Sequence, residues 1–225
     1  MPQVSVDYHT HRQFAVVTAA LVGVLVAVFV HVSRLGDLGA AFLQTHGAVP
    51  HKVLTLLDWR HPYRSLPAIQ TILTSLFLHG DLLRLAGNAL LLLLFGASVE
   101  DRLGHYRFAL LFCVCGAIAV LAQCAMNPDS RVALVGAQGG VAGVAGACLA
   151  ISPRGNVPTM IRGLQFPWLF GPLVWMLAAI LAAVSPVAMP AGADTVGLPY
   201  QLLAFLLGVG LGEFYRRQRP VLLRG

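Results

Sequence analysis

Charge is scarce in this chain: Asp, Glu, Lys and Arg make up only 11% of its 225 residues, against about 25% in a typical soluble domain. Carboxylates are the scarcer sign, nine against fifteen basic residues. No long apolar block holds a pair of them, since Asp81 and Glu100 stand at opposite edges of one block. That absence counts against a transporter or small-solute channel, whose ion paths usually place ionisable groups inside the membrane. Histidine is missing from the final 120 residues, so no imidazole base can come from that half of the chain. The four cysteines, Cys113, Cys115, Cys124 and Cys148, lie inside apolar blocks and give no disulfide framework. Cys113-x-Cys115 has no His or acidic neighbour in sequence, so these thiols read as small packing groups, and no metal or other cofactor is expected. Repeats of 20–50 residues and low-complexity tracts are absent as well.

What the chain does have is apolar sequence. Hydrophobic residues make up 57% and the mean hydropathy is +0.76. They fall in blocks close to the ~20 residues that cross ~30 Å of hydrocarbon. The blocks predict an all-α integral membrane protein with six spans, near 14–32, 82–99, 108–126, 132–151, 168–187 and 199–214. A 13-residue tail precedes this 14–215 membrane domain and a basic tail, 216–225, follows it. The first block, Phe14–Val32, is 19 residues long and lacks a following small-residue cleavage site. It therefore reads as a span rather than a signal peptide.

The long connection 33–81 mixes apolar residues with Gln44, His46, His51 and Lys52 and carries Pro50, Pro62 and Pro67. That mixture predicts a short interfacial helix or a re-entrant segment. Counting Lys and Arg in the flanks gives nine on one side and five on the other, four of the five in this connection. Both termini are thus expected to be cytoplasmic, in a bacterial inner membrane, with the long connection outside. The net charge of +6 follows the same flanks, so membrane lipid rather than nucleic acid is the expected partner. Arg216, Arg217 and Arg219 read as an anchor on anionic lipid.

Small residues mark close helix contacts. Gly136/Gly140 and Gly139/Gly143 are overlapping G-x-x-x-G pairs in the fourth block, and Ala204/Gly208/Gly212 repeat the spacing in the sixth. Such surfaces let backbones approach, so spans four and six are expected to pack together at the bundle centre. Polar residues inside the blocks also need a reason. Arg84 and Asn88 share one face of the second block, with His79 just before it, while Gln138 and Gln201 lie near the outer ends of the fourth and sixth. Converging, the four in-span groups would form one polar pocket opening outward. The plainer alternatives are a snorkelling Arg84, ordinary interhelical hydrogen bonds from Asn88 and Gln138, and an interfacial Gln201 beside Tyr200.

The stretch Thr74-Ser-Leu-Phe-Leu-His79-Gly-Asp-Leu-Leu-Arg84-Leu-Ala-Gly-Asn88, continuing to Glu100-Asp-Arg102-Leu-Gly104, resembles the second-span signature of the rhomboid intramembrane proteases. Gly136-Ala-Gln138-Gly139 falls where that family carries Gly-x-Ser-Gly, and Tyr200-Gln201 through Gly208 is similar to its sixth-span Ala-His-x-x-Gly-x-x-x-Gly. The resemblance implies a six-helix rhomboid-like bundle with a long outer loop between helices 1 and 2. It also implies a serine–histidine dyad at the positions held here by Gln138 and Gln201. A carboxamide is neither a nucleophile nor a base at neutral pH, and losing either member of a catalytic unit removes several orders of magnitude in rate. The oxyanion-side histidine of the family is Arg84 here, while its partner Asn88 remains. Glu100 and Arg102 are expected to form a structural hydrogen-bonded turn at the cytoplasmic face. The resulting expectation is a rhomboid-like pseudoprotease with no catalytic residue, binding transmembrane clients or lipid. The alternatives are a protease with another nucleophile, such as Ser75 or Ser130 paired with His79, and a transporter.

Overall fold

A computed structural model of the protein describes residues 15–56, 62–151, 156–158, 165–167, 173 and 198–218. Apart from two three-residue strands, the elements among them are helices. Three are long and apolar enough to cross a membrane by length and composition: α1 (Val16–Arg34), the continuous run Leu82–Leu103, and α7 (His105–Met126). The fifth expected span, 168–187, lies outside the described residues except for residue 173.

The connection between the first two spans is built from three helices rather than one: α2 (Leu38–His46), α3 (Pro50–Leu56) and α4 (Pro62–Ser75). Proline opens both α3 and α4, where its missing N–H would be unpaired anyway and its fixed φ suits the helix. This connection is fastened to the segment entering the fourth block. Ala48 and Leu134 exchange backbone hydrogen bonds of 3.1 and 2.8 Å. Gln44 brackets the same segment, donating to the Arg131 carbonyl at 2.5 Å and accepting from Ala133 N–H at 3.1 Å. Thr74 on α4 donates to the His46 carbonyl of α2 at 2.5 Å.

The second span is α5 (Leu82–Leu91), a single π-turn (Leu92–Gly96) and α6 (Ala97–Leu103). Asp81 starts it, its carboxylate accepting from Arg84 N–H at 2.8 Å as an N-cap. The fourth block is where expectation and structure differ. Its helix α8 (Gln138–Ile151) begins six residues later than the pattern predicted. Residues before it are extended because their N–H groups are used elsewhere: Leu134 donates to Ala48 and Gly136 to Ser75. Gly136 then turns the chain at φ +129, a conformation that side chains with a Cβ rarely adopt.

At 14 residues, α8 rises about 21 Å. It lies inside the bundle, with every residue from Gly139 to Cys148 buried. The last helix, α9 (Leu198–Gln218), runs parallel to it at backbone contact. A Cβ on Gly208 would lie 2.0 Å from the Gly143 carbonyl oxygen, and one on Gly146 the same distance from that of Phe205. Helix α7 runs antiparallel against α8, and a Cβ on Gly143 would lie 2.3 Å from that of Cys115 and 3.6 Å from the Ala204 carbonyl oxygen of α9. The glycine pattern thus marks a centre where α7, α8 and α9 pack on one another. Strands β1 (Asn156–Pro158) and β2 (Gln165–Pro167) pair antiparallel beyond α8.

Candidate functional site

Two ends of the bundle can be distinguished by what their side chains do. At one end, Glu100 is buried and closes the start of α1, accepting from Val17 N–H at 2.8 Å, Thr18 N–H at 2.8 Å and Thr18 Oγ1 at 2.7 Å. A carboxylate at a helix N-terminus answers both the unpaired N–H groups and the positive end of the helix dipole. His105 Nδ1 also contacts Glu100. Arg102 donates to the Ile151 carbonyl at 2.6 Å, closing the other terminus of α8. Arg107 lies over the Tyr215 ring at 5.3 Å, and Glu213 joins Arg216 and Arg217. This end holds helix termini together.

The opposite end holds a cavity of about 20 Å³, enough for one water. Gln138 at the start of α8 and Gln201 near the start of α9 both line it, because the two helices run parallel and begin together. Gly136 is what allows Gln138 its position, since a Cβ there would overlap Gln138 Oε1 at 2.1 Å. Gln123 of α7 supplies a third carboxamide that sequence reasoning missed. It is 4% exposed, and its Nε2 is buried with no hydrogen-bond partner among the described residues. An intramembrane glutamine within the apolar run of the third block was the available signal.

Beside this cavity stand Asn88 and His79. Asn88 Nδ2 is 3.0 Å from His79 Nε2, and the N–H of Ala137, next to Gln138, reaches the same nitrogen at 3.5 Å. A backbone N–H can only donate, so Nε2 is the acceptor and the ring is neutral with its proton on Nδ1. His79 is 2% exposed, and burial pushes its pKa down to about 4; Arg84 adds to the fall, while the Phe77 backbone and Asp81 oppose it. Among the described residues Nδ1 itself has no hydrogen-bond partner. Arg84 does not join the group. Its Nε pairs with Asp81 at 3.1 Å on a partly exposed face, and it is not among the cavity's lining residues. Asp81 captures it because the N-cap carboxylate lies one helical turn away.

The remaining sequence-derived positions are therefore separated. Gly136 and Gly139 line the cavity, Gly208 is packed against α8 below it, and Glu100 and Arg102 are at the far end. Ser75 is fully buried and donates to the Ile72 carbonyl at 2.7 Å. Ser130 Oγ accepts from Val132 N–H at 3.4 Å in the segment before α8. Neither hydroxyl bonds to His79 in the structure.

Compared with models of protein families, the chain matches the Rhomboid domain over residues 67–216, two thirds of its length. The chain belongs to the rhomboid family. It is accordingly an integral membrane protein, as its apolar helices also indicate. Searches among curated proteins and among solved structures each found no match. Within a rhomboid-family bundle, the cavity between α7, α8 and α9 is the place to look for function. Among the described residues its lining contains no serine, cysteine or histidine.

Proposed function

We propose that this protein is a rhomboid-like pseudoprotease, a six-span membrane protein that binds transmembrane helices without cleaving them. The observation that carries this reading is the pairing of Gln138 and Gln201 in one cavity, at the two positions that resemble the serine and histidine of rhomboid proteases. Neither carboxamide can attack a carbonyl or accept a proton at neutral pH. His79, the one imidazole beside the cavity, spends Nε2 on Asn88 and the Ala137 N–H, and the buried Ser75 hydroxyl is turned toward Ile72. Among the described residues the lining carries no charge, which favours a neutral group of a client helix at the cavity over a lipid phosphate. Lipid is contacted instead at the basic end, where Arg216 and Arg217 are exposed. With the positive-inside bias, that end faces the cytoplasm of a bacterial cell with both termini on it, and the cavity opens outward.

The test is photo-crosslinking in native membranes from residues introduced at positions 138 and 201. Discrete protein adducts are expected, and they should be lost when the reactive residue is moved to the lipid-exposed Leu206. Capture of bulk lipid alone at positions 138 and 201 would remove the client-binding reading. Transport is disfavoured by a cavity the size of one water and by the lack of Asp, Glu, His, Lys or Arg among the described residues lining it.

A further inference from the structure

We infer that the cavity is built to receive a neutral carboxamide, an asparagine or glutamine side chain carried on a client's transmembrane helix. This rests on the client-binding reading and names the chemistry by which the client is recognised.

Three carboxamides from three different helices, Gln123, Gln138 and Gln201, converge on one small cavity. Gln123 is 4% exposed and, among the described residues, leaves its Nε2 without a partner. Unpaired buried donors are rare, and each calls for an acceptor. An acceptor alone could be any carbonyl, so the remaining features decide between ligands. A client that stays helical has its backbone carbonyls already paired, because hydrocarbon offers no other partner. Its side chains are then what it can present. A carboxylate or ammonium would enter a lining with no counter-charge, since Arg84 is held by Asp81 outside the cavity. Such a buried unpaired charge is strongly disfavoured. A hydroxyl is small and offers one donor. A carboxamide offers two donors and an acceptor, and can pair reciprocally with another carboxamide. The enclosed volume of about 20 Å³ admits one group of water size, such as the amide oxygen that would meet Gln123 Nε2. The amide nitrogen then lies toward the mouth, within the reach of the Gln138 and Gln201 side chains.

The experiment uses the full chain reconstituted in nanodiscs, with leucine–alanine host helices carrying one guest residue in the third of the helix nearest the cavity. Guests are Asn, Gln, Asp, Lys and Leu, and binding is read by energy transfer. Asn and Gln hosts are expected to bind about tenfold tighter than the Leu host, the factor for one or two interhelical hydrogen bonds in a membrane. Asp and Lys hosts should bind no better than Leu. Gln123→Met, close in volume, should erase the preference for the Asn and Gln hosts over the Leu host. Equal binding of all five hosts to the wild-type chain overturns the carboxamide inference yet leaves client binding in place. Binding of none overturns both. The wild-type series needs no variant, so a poorly folding Gln123→Met does not shield the inference.

Discussion

At the scale of single residues, His79 and Glu100 each do work that their sequence context did not reveal. His79 is buried as a neutral ring, with its pKa lowered from 6.5 to about 4. The unfolded chain takes up a proton near pH 6.5 that the folded chain refuses until about pH 4. Stability is therefore full above pH 6.5, falls as pH drops through that window, and levels off below it. The span of the window corresponds to about 3 kcal/mol. Detergent-solubilised protein should lose unfolding free energy between pH 6.5 and pH 4, and His79→Gln should flatten that slope. A slope of equal size in the variant would place the titration elsewhere. Glu100 closes α1 with three hydrogen bonds from Val17 and Thr18. Glu100→Ala leaves those buried donors unpaired, at a loss of roughly 2–4 kcal/mol for hydrogen bonds to a charged group. Hydrogen exchange at Val17 and Thr18 should accelerate first in that variant, ahead of α7 and α8.

At the scale of elements, the π-turn explains how one helix serves both ends of the bundle. Asn88 and Glu100 are twelve positions apart, which on an unbroken α-helix separates their directions by about 120°. A π-turn absorbs one extra residue and reduces the difference to about 20°. Both side chains are buried as a result, Asn88 beside the cavity and Glu100 at the α1 terminus. The contact between α8 and α9 is equally specific. Because a Cβ on Gly208 would meet the backbone carbonyl of Gly143, no rotamer change relieves it and the two helices must separate. Gly208→Ala should destabilise the bundle by about 1–3 kcal/mol, the usual range for overpacking. Gly87→Ala serves as control, since a Cβ there meets nothing within 4 Å. Comparable loss in both variants, measured by thermal unfolding in detergent, would deny the close approach any special role.

At the scale of the molecule, what the sequence made legible is what hydropathy and small-residue spacing encode. The apolar blocks located α1, the second span and α7, and the glycine spacing placed the fourth and sixth blocks against each other. Hydropathy could not see that Leu134 and Gly136 donate to Ala48 and Ser75, so the helix of the fourth block starts only at Gln138. Nor could it see the π-turn, which leaves no compositional mark. In the candidate site, Gln138 and Gln201 were read from their motif positions and share one cavity, whereas Arg84 was drawn off by Asp81. Gln123 and His79 were under-read because their role depends on which way a buried face turns, a tertiary property. Apart from residue 173, the fifth block lies outside the described residues.

Among the described residues the cavity lining offers neither a hydroxyl or thiol nucleophile of Ser or Cys nor an imidazole base. Purified, reconstituted protein should be incubated with a cleavable transmembrane substrate and, separately, with a fluorophosphonate probe. No cleavage product and no labelled band are expected from the wild-type chain. A product that survives further purification, accompanied by labelling that disappears in Ser75→Ala or Ser130→Ala, would contradict the pseudoprotease assignment outright.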